Sequence, residues 1–464
     1  MTASTYISTR GRSPSADFGE VLLRGMAPDG GLYVPTTWPK LEAGLTAHGA
    51  AYARIARSVL APFVGRALPD AALDAAVGRL VAGFDSPEVT PLVRVSDDLW
   101  LLELFHGPTA AFKDLAMQLA ASLAEAALAA SGERLTLVTA TSGDTGAAAV
   151  NAFAGKTGIH LVVLHPLDRV SPVQRRQMTT VDAGNVLNLA VRGDFDDCQR
   201  LVKGLLADET LREGRRFSSV NSINWARLAG QIPYYVSAVG QLNAQGETRP
   251  ARFVVPTGNF GDAFAGLVAA RMGVPMAGMV AAVNTNDALA RAINDGVYAR
   301  AAAVETSSVS MDVQAPSNFE RLVFEASGRD ADMTRSLFLD FARDGSVRLP
   351  DELLAAIRGE VAAMSIDEVA TRAAIARAHA DFGQVVCPHT AVGLAAARAV
   401  SHDGPTVVLA TAHPSKFGRD VGAVLGFEPE PAPVIRALGD RPERMTVIDA
   451  TGEAARAAVD GFQA

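Results

Sequence analysis

Cysteine is scarce in this chain, with Cys198 and Cys387 the only two among 464 residues. Two distant cysteines cannot form the disulfide framework of a small secreted domain, and neither has a second Cys or a His at zinc-finger spacing. The 8 histidines include no His-x-x-x-His pair. The sequence therefore predicts no metal site and a reducing, cytoplasmic location.

Long apolar segments and basic blocks are also missing. No run approaches the roughly 20 apolar residues of a membrane helix, and the N-terminal segment lacks the apolar centre of a signal peptide. Acidic residues outnumber basic ones, 50 to 42, and no basic cluster carries interleaved aromatic residues. We therefore expect no membrane or nucleic-acid partner, and the sequence favours a small-molecule ligand.

The length of 464 residues exceeds one compact core and predicts two or three domains. Residues 1–92 form a mostly helical region, with helices predicted by apolar spacing at 18–26, 50–60 and 71–84. A turn at 27–31 precedes the short apolar segment 32–34, and Ser86-Pro87-Glu88 indicates the end of this region.

After residue 92, short apolar runs alternate with longer helical segments, a pattern typical of parallel sheets with crossover helices and therefore of an α/β fold. The predicted strands are 99–104, 135–139, 160–164, 186–191, 253–255, 280–283 and 407–410. The predicted helices are 113–130, 147–155, 195–206, 225–243 and 263–272. We place a smaller α/β domain at 93–215 and a larger one at 216–464, with the boundary in the charged segment 212–216.

The first chemically informative segment is the loop Phe-His-Gly-Pro-Thr-Ala-Ala-Phe-Lys-Asp, which ends in Lys113 and Asp114 and opens a predicted helix. Lys113 stands alone in a largely apolar setting. Burial there would lower the pKa of its amine, as attack on a carbonyl near neutral pH requires. The local sequence equally fits a surface lysine whose stem packs on Phe112.

Two glycine-containing turns, 141–146 and 257–262, each follow a strand and open a helix. The free N–H groups and positive dipole at a helix start suit an anion. The first turn also fits an ordinary helix cap, and its Asp144 is unusual for an anion site. The second matches neither a Walker A motif nor a dinucleotide fingerprint. One activated lysine and two anion sites together suggest a phosphate-bearing aldehyde cofactor and an anionic substrate.

A further strand ends on Thr411, whose hydroxyl suits one hydrogen bond to a ring nitrogen, although a threonine at a strand end is structurally ordinary. His106 lies beside the lysine loop and fits either a proton shuttle or a hydrogen bond to the loop backbone. His413 and Lys416 follow Thr411, and the sequence leaves their roles open.

Taken together, these segments resemble the threonine synthases of the longer kind, which belong to the fold-type II pyridoxal-phosphate (PLP) enzymes. The matching stretches extend from residue 8 to residue 417, so the resemblance covers nearly the whole chain, and the lysine loop is close to diagnostic. The stretches are 8–11, 27–35, 105–114, 140–146, 218–235, 256–262 and 411–417.

The resemblance implies that Lys113 is the Schiff-base lysine and that Thr411 is the partner of the pyridine nitrogen. It implies a cofactor-phosphate loop formed by Gly258, Asn259, Phe260, Gly261 and Asp262, and a substrate-carboxylate loop formed by Ser142, Gly143, Asp144 and Thr145. Relatives with other activities usually carry Asn in place of Asp144, so the group that contacts the 3-hydroxyl of the ring stays open.

The resemblance also implies that Asn224 and Arg227 lie near the substrate phosphate. The alternative is that Asn224 caps the helix starting at Trp225 and that Arg227 lies at the surface.

The activity implied is conversion of O-phospho-L-homoserine and water into L-threonine and phosphate. A serine/threonine dehydratase or a cysteine synthase is disfavoured by the 27–35 segment and by His106 in the lysine loop. A phospholyase that forms 2-oxobutyrate from the same substrate stays open, and a non-catalytic binding module is disfavoured by Lys113. The sequence allows either a monomer or a dimer.

Overall fold

The N-terminal region contains a two-stranded antiparallel sheet and three helices. The computed structural model describes residues 4–47, 49–211, 216–400 and 402–463. The elements are β1 (Tyr6–Ser8), α1 (Phe18–Arg24), β2 (Tyr33–Pro35), α2 (Tyr52–Val64) and α3 (Asp70–Ala82). Helix α1 begins where the Asp17 side chain accepts from the Glu20 N–H, and it ends at Gly25 with φ of 79°. The three helices predicted here are confirmed.

The middle of the chain alternates strands with helices. It contains β3 (Leu92–Arg94), β4 (Leu99–Glu103), α4 (Lys113–Ser131), β5 (Leu135–Ala140), α5 (Asp144–Phe153), β6 (Ile159–Pro166), α6 (Pro172–Thr179), β7 (Val186–Arg192) and α7 (Phe195–Ala207). It continues with β8 (Arg216–Ser218), α8 (Trp225–Ala229), α9 (Ile232–Ala244), β9 (Ala251–Pro256), α10 (Gly261–Met272) and β10 (Met276–Val283).

The remaining part is richer in helices. It contains α11 (Ala288–Asp295), β11 (Val297–Ala299), α12 (Phe319–Ala326), α13 (Ala331–Asp344), β12 (Ser346–Arg348), α14 (Asp351–Glu360), β13 (Ala362–Ser365), α15 (Glu368–Phe382) and α16 (Pro388–Ala399). It ends with β14 (Thr406–Ala410), α17 (Gly418–Leu425), α18 (Pro433–Arg436), β15 (Thr446–Asp449) and α19 (Gly452–Gln463). Short 3-10 helices lie at Val309–Met311 and Pro414–Phe417.

Two larger sheets organise these elements. The six-stranded sheet has the order β13-β10-β9-β14-β4-β3, with β3 antiparallel to β4 and the other pairs parallel. The five-stranded sheet, β15-β7-β6-β5-β8, is parallel throughout. The predicted α/β architecture, with parallel sheets flanked by helices, is confirmed.

Sheet membership does not follow the predicted segments 93–215 and 216–464. Strand β4 pairs with β14, and β15 from the C-terminal part pairs with β7. Residues 212–215, where we predict the inner boundary, lie outside the described residues.

An aromatic cluster joins the N-terminal region to the rest of the molecule. The ring of Trp225, at the start of α8, lies 6.0 Å from that of Tyr6, 5.8 Å from Trp38 and 5.5 Å from Phe63. Trp225 is fully buried. Aromatic packing of this kind fixes the N-terminal region against the segment that carries Arg227.

The single helix predicted at 225–243 is wrong, because α8 ends at Ala229, Gly230 caps it, and α9 begins at Ile232. Pro233 lacks a backbone N–H and disfavours helical geometry in the residue before it, so one continuous helix is interrupted. In the described part of the chain, no helix is both long and apolar enough to span a bilayer.

Candidate active site

Four loops meet at a cleft of about 2550 Å³, and each begins at the carboxyl end of a parallel strand, β4, β5, β9 or β14. Such ends are the usual ligand sites of α/β proteins. The predicted site residues that line it are Lys113, Ser142, Asp144, Thr145, Arg227, Gly258, Asn259, Gly261, Asp262 and Thr411. Gly143, Asn224 and Phe260 do not line it.

The lysine loop is attached to the end of β14 by backbone hydrogen bonds. Phe112 N donates to Thr411 O at 2.8 Å, and His413 N donates to Ala110 O at 3.1 Å. Inside the loop, the Asp114 carboxylate accepts from Thr109 N at 2.8 Å. These bonds bring Lys113 and Thr411 together from distant parts of the sequence.

The Lys113 side chain is 12% exposed. Its Nζ lies 4.7 Å from the centre of the Phe112 ring and 3.6 Å from Asp144 Oδ2. Burial lowers the pKa of Lys113, and the Asp144 carboxylate opposes that shift. The structure therefore supports the interpretation that the Lys113 amine is buried, and not the alternative in which Lys113 is a surface lysine with its amine in water.

Asp144 is a buried carboxylate with several donors. Its Oδ1 lies 2.9 Å from Lys416 Nζ and accepts from Gln174 Nε2 at 2.9 Å, while Oδ2 accepts from Ser310 Oγ at 3.3 Å. Burial raises the pKa of Asp144, but the neighbouring Lys416 and Lys113 side chains and the hydrogen bonds from Lys416 and Gln174 outweigh burial and hold the pKa well below its usual range. Its carboxylate therefore faces cations and does not cap α5.

The loop before α5 is shaped by Thr141. Its Oγ1 accepts from Gly143 N and from Gly146 N, both at 2.9 Å. Gly143 has φ of 141°, and an added Cβ there would lie 2.3 Å from the Gln174 side chain. Gly143 is therefore required by the loop conformation, and its N–H is already bonded. Thr141, Ser142 and Thr145 lie at the cleft together with Asp144.

The loop before α10 has features that suit a phosphate group. Phe260 adopts a left-handed conformation with φ of 62°, and helix α10 begins at Gly261. Asn318 Nδ2 donates to Asn259 O at 3.0 Å and fixes the turn. A Cβ at Gly258 would lie 2.7 Å from a backbone oxygen. The compact turn therefore opens the positive end of α10 onto the cleft.

Two residues of this loop, Phe260 and Asp262, are directed into the fold rather than available to a ligand. The Asp262 carboxylate accepts from the Thr257 hydroxyl and from Ala263 N, and burial raises the pKa of Asp262. Phe260 is completely buried. Gly258, Asn259 and Gly261 are thus the residues whose backbone is best placed to meet an anion.

Arg227 is buried, contrary to the surface alternative. Its Nη1 donates to Val220 O at 2.5 Å. Among the residues that the structure describes, it has no carboxylate partner, and its Nε has no hydrogen-bond acceptor. Burial lowers the pKa of Arg227 to about 10. A buried guanidinium that lines a cleft without a counter-ion fits an anionic ligand.

Asn224 acts as a helix cap, as the alternative prediction states. Its side-chain oxygen accepts from Ala226 N at 2.9 Å, and its Nδ2 donates to Leu22 O at 2.8 Å. Both halves of the amide are used inside the fold, so we assign no substrate contact to Asn224.

Several cleft residues carry no sequence signal. His389 on α16 is buried, and burial lowers the pKa of its ring to about 3. Its Nε2 accepts from Ser310 N at 3.1 Å. Gln174 on α6 holds Asp144. His389 and Gln174 reach the cleft through contacts between elements that are far apart in the chain, and local sequence patterns do not reveal such contacts.

His106 does not line the cleft. Its Nδ1 lies 2.9 Å from Asp85 Oδ1 and its Nε2 lies 2.8 Å from Glu103 Oε2. Burial lowers the pKa of His106, but the hydrogen bonds to both carboxylates outweigh burial, so the pKa is raised. The ring therefore stabilises the lysine loop from outside.

The contacts of His106 with Asp85 and Glu103 give the first testable prediction. Because the folded pKa of His106 lies above the unfolded value of about 6.5, its stabilisation is complete below that value and is lost as pH rises through the folded pKa. We expect the free energy of unfolding of His106→Gln to fall below wild type by up to about 1 kcal/mol at about pH 6, and by less at about pH 9. Denaturant titrations of both proteins at both pH values measure the difference in free energy of unfolding. The same difference at about pH 6 and about pH 9 would contradict the prediction.

Comparison with known proteins agrees with this geometry. Family models match at residues 5–80 (Threonine synthase N terminus), 84–337 (Pyridoxal-phosphate dependent enzyme) and 390–459 (Threonine synthase, C-terminal). The threonine synthase of Pseudomonas aeruginosa is 41% identical over 96% of this chain and 95% of its own.

Solved structures agree as well. PLP-bound threonine synthase from Brucella melitensis superposes with a TM-score of 0.95 at 43% identity, over 100% of both chains. Yeast threonine synthase superposes with a TM-score of 0.94 at 32% identity, over 99% of both chains. The chain therefore belongs to the threonine synthase family of pyridoxal-phosphate-dependent enzymes.

Proposed function

We propose that this chain converts O-phospho-L-homoserine and water into L-threonine and phosphate, with pyridoxal phosphate carried on Lys113. The observation that carries the proposal is the buried Lys113 amine in a cleft that also holds the N-terminal end of α10 and Arg227, which has no carboxylate partner among the described residues. Membership of the family sets aside the dehydratase, the cysteine synthase and the binding module.

The cofactor fits the residues present. Gly258, Asn259 and Gly261 would bind its phosphate through the N–H groups at the start of α10. Thr411, which is buried and lines the cleft, would bind its ring nitrogen through the side-chain hydroxyl. When bound, pyridoxal phosphate supplies an electron sink for charge that develops on the substrate carbons.

The remaining chemistry belongs to side chains of this chain. The Lys113 amine, with its lowered pKa, accepts and returns protons at Cα and then at Cβ of the substrate. Ser142 and Thr145 would hold the substrate carboxylate at the start of α5. Arg227 would bind the leaving phosphate and stabilise the charge that grows on it. Burial of Lys113 and Arg227 limits access of water to these two groups before the step that uses it.

One experiment tests this function against the phospholyase alternative. Threonine, 2-oxobutyrate and phosphate are quantified from one reaction with O-phospho-L-homoserine. We expect threonine and phosphate in equal amounts, because the buried Lys113 amine would stay beside the unsaturated product of phosphate loss until water adds at Cβ. The assignment is falsified if 2-oxobutyrate accounts for most of the phosphate released.

The phosphate loop gives a second prediction. A Cβ at Gly261 would lie 3.2 Å from Asn318 Nδ2, and Asn318 is the residue that fixes Asn259 O. Gly261→Val should therefore displace the turn and raise the Kd for pyridoxal phosphate at least about tenfold. Titration of the cofactor-free protein measures this. Gly204→Val is the control, because Gly204 on α7 has open space around an added Cβ. An unchanged Kd would move the phosphate site to another loop.

Thr411 gives a third prediction. Thr411→Val keeps the shape of the side chain and removes its hydroxyl, so kcat should fall roughly tenfold while the Kd for the cofactor changes less. Thr406→Val, at the opposite end of β14, is the matched control. Steady-state rates and cofactor titration on the same samples separate the two effects. Wild-type kcat in Thr411→Val would remove Thr411 from the site.

A further inference from the structure

A second lysine lies beside the proposed cofactor lysine. The Lys416 side chain is completely buried, and its Nζ lies 2.9 Å from Asp144 Oδ1 and donates to Thr109 O at 2.7 Å. Lys113 Nζ lies farther from the same carboxylate, at 3.6 Å from Oδ2. Asp144 thus has its closer ion pair with Lys416.

Lys416 is held in this position by its surroundings. It lies in the 3-10 helix Pro414–Phe417, where His413 Nδ1 accepts from Ser415 N at 3.3 Å. Through Thr109 and Asp144 it joins the lysine loop to the first residue of α5. With its Nζ bonded to both loops, Lys416 is a structural cation rather than a second nucleophile.

The buried Asp144 carboxylate can form its ion pair with either of two amines, Lys416 or Lys113. If Asp144 pairs with Lys416, the pair is neutral and the Lys113 amine need not be charged. If Lys416 were absent, Asp144 would need another cation, and Lys113 is adjacent. An ammonium ion has no lone pair and cannot attack a carbonyl.

We propose that Lys416 is a positioning residue, which holds the Asp144 carboxylate in an ion pair and so leaves Lys113 free as a neutral amine for attachment of the cofactor. This inference rests on the proposed role of Lys113. In the attachment, the amine lone pair attacks the aldehyde carbon, a C=N bond replaces C=O, and the oxygen leaves as water with the two protons of the amine.

The shifts at Lys113 agree with this arrangement. Burial lowers its pKa, Asp144 raises it and Lys416 lowers it again. The titratable and charged groups that face Lys113, Asp144 and Lys416 come from several elements. They are Asp114 on α4, Arg227 on α8, Asp262 on α10, Cys387 and His389 at the start of α16, and His413 before the 3-10 helix that carries Lys416. The carboxylate nearest to Lys113 is Asp144.

The rate of cofactor attachment as a function of pH tests the proposal. The full chain is stripped of its cofactor, pyridoxal phosphate is added, and the near-visible band is followed over time. Lys416→Met should move the midpoint of this pH profile upward by about one unit or more, because Asp144 then stabilises the Lys113 ammonium. Lys416→Arg keeps the positive charge and should therefore have the wild-type midpoint. Lys40→Met, which removes an exposed lysine, should match wild type.

A double variant separates charge from packing. In Asp144→Asn with Lys416→Met, the carboxylate that forms an ion pair with Lys113 is gone and only the more distant Asp262 remains, so the midpoint should return to wild type or below. An upward shift that persists in the double variant overturns the proposal, as does an unshifted midpoint in Lys416→Met. If Lys416→Met fails to fold, Asp144→Asn alone decides: its midpoint should fall, and an unchanged midpoint overturns the proposal.

Failure of this inference and failure of the proposed function give different results. If Lys113→Ala still forms the borohydride-reducible band, another lysine carries the cofactor and the proposed function of Lys113 is wrong. If that band is lost in Lys113→Ala while Lys416→Met behaves as wild type, only the inference about Lys416 is wrong.

Discussion

Lys113→Ala is expected to lower turnover of O-phospho-L-homoserine by about 10³-fold or more and to abolish the borohydride-reducible band of the cofactor. Two functions are lost at once, the covalent attachment of the cofactor and the base that moves protons at Cα and Cβ. The loss follows from the position of the amine, 12% exposed and 3.6 Å from Asp144 Oδ2. Spectra after dialysis and single-turnover rates measure the two functions separately.

Lys40→Ala is the control for this prediction, because Lys40 is exposed and its amine bonds only to a backbone oxygen in the described structure. It should keep both the band and the rate. The phosphate loop is untouched in Lys113→Ala, so the variant should still bind the cofactor without a covalent bond. A retained band after dialysis would show that a different lysine is modified.

The parts of the fold that sequence patterns predict are those with strong local signals. Strands β5, β9 and β14 are buried almost throughout, so their mostly apolar, β-branched sequences stand out. The loops that follow them contain most of the predicted site residues, whereas Lys113 follows β4 and Arg227 follows β8. Strands β9 and β14 share one sheet and β5 belongs to the other, and the loops at their carboxyl ends meet at the cleft. The sequence pattern predicts no helix between β10 and β14, where amphipathic and Ala-rich segments give α11 to α16.

Pairings between distant loops are the parts that local patterns miss. Asn224 and Arg227 are both polar residues at the start of a helix, and sequence alone gives each a binding role or a structural one. The structure separates them: Asn224 caps α8, whereas Arg227 is buried at the cleft. The Lys416 pair with Asp144 depends on the folding of β14 beside the lysine loop, which no local pattern specifies.

Arg227→Met is expected to lower kcat/KM by about 10²- to 10³-fold. Charge on the phosphate increases as its bond to the substrate carbon breaks, so a guanidinium contact strengthens on the way to the transition state and kcat itself should fall. The kcat/KM of Arg227→Lys should lie between those of wild type and Arg227→Met, because an ammonium group keeps the charge but lacks the planar pair of donors.

Arg227 is buried and has no carboxylate partner in the part of the chain that the structure describes, so the effect of Arg227→Met on activity can be separated from an effect on folding. Replacing an unpaired buried cation by an apolar side chain of similar length removes a desolvation cost, so Arg227→Met should unfold no more easily than wild type. Arg398→Met, at an exposed ion pair with Asp381, is the control for loss of an arginine. Inorganic phosphate should compete with the substrate in wild type and much more weakly in Arg227→Met. If kcat/KM is unchanged, or if phosphate inhibits both proteins equally, the leaving phosphate lies elsewhere in the cleft and Arg227 has a structural role through Val220 O.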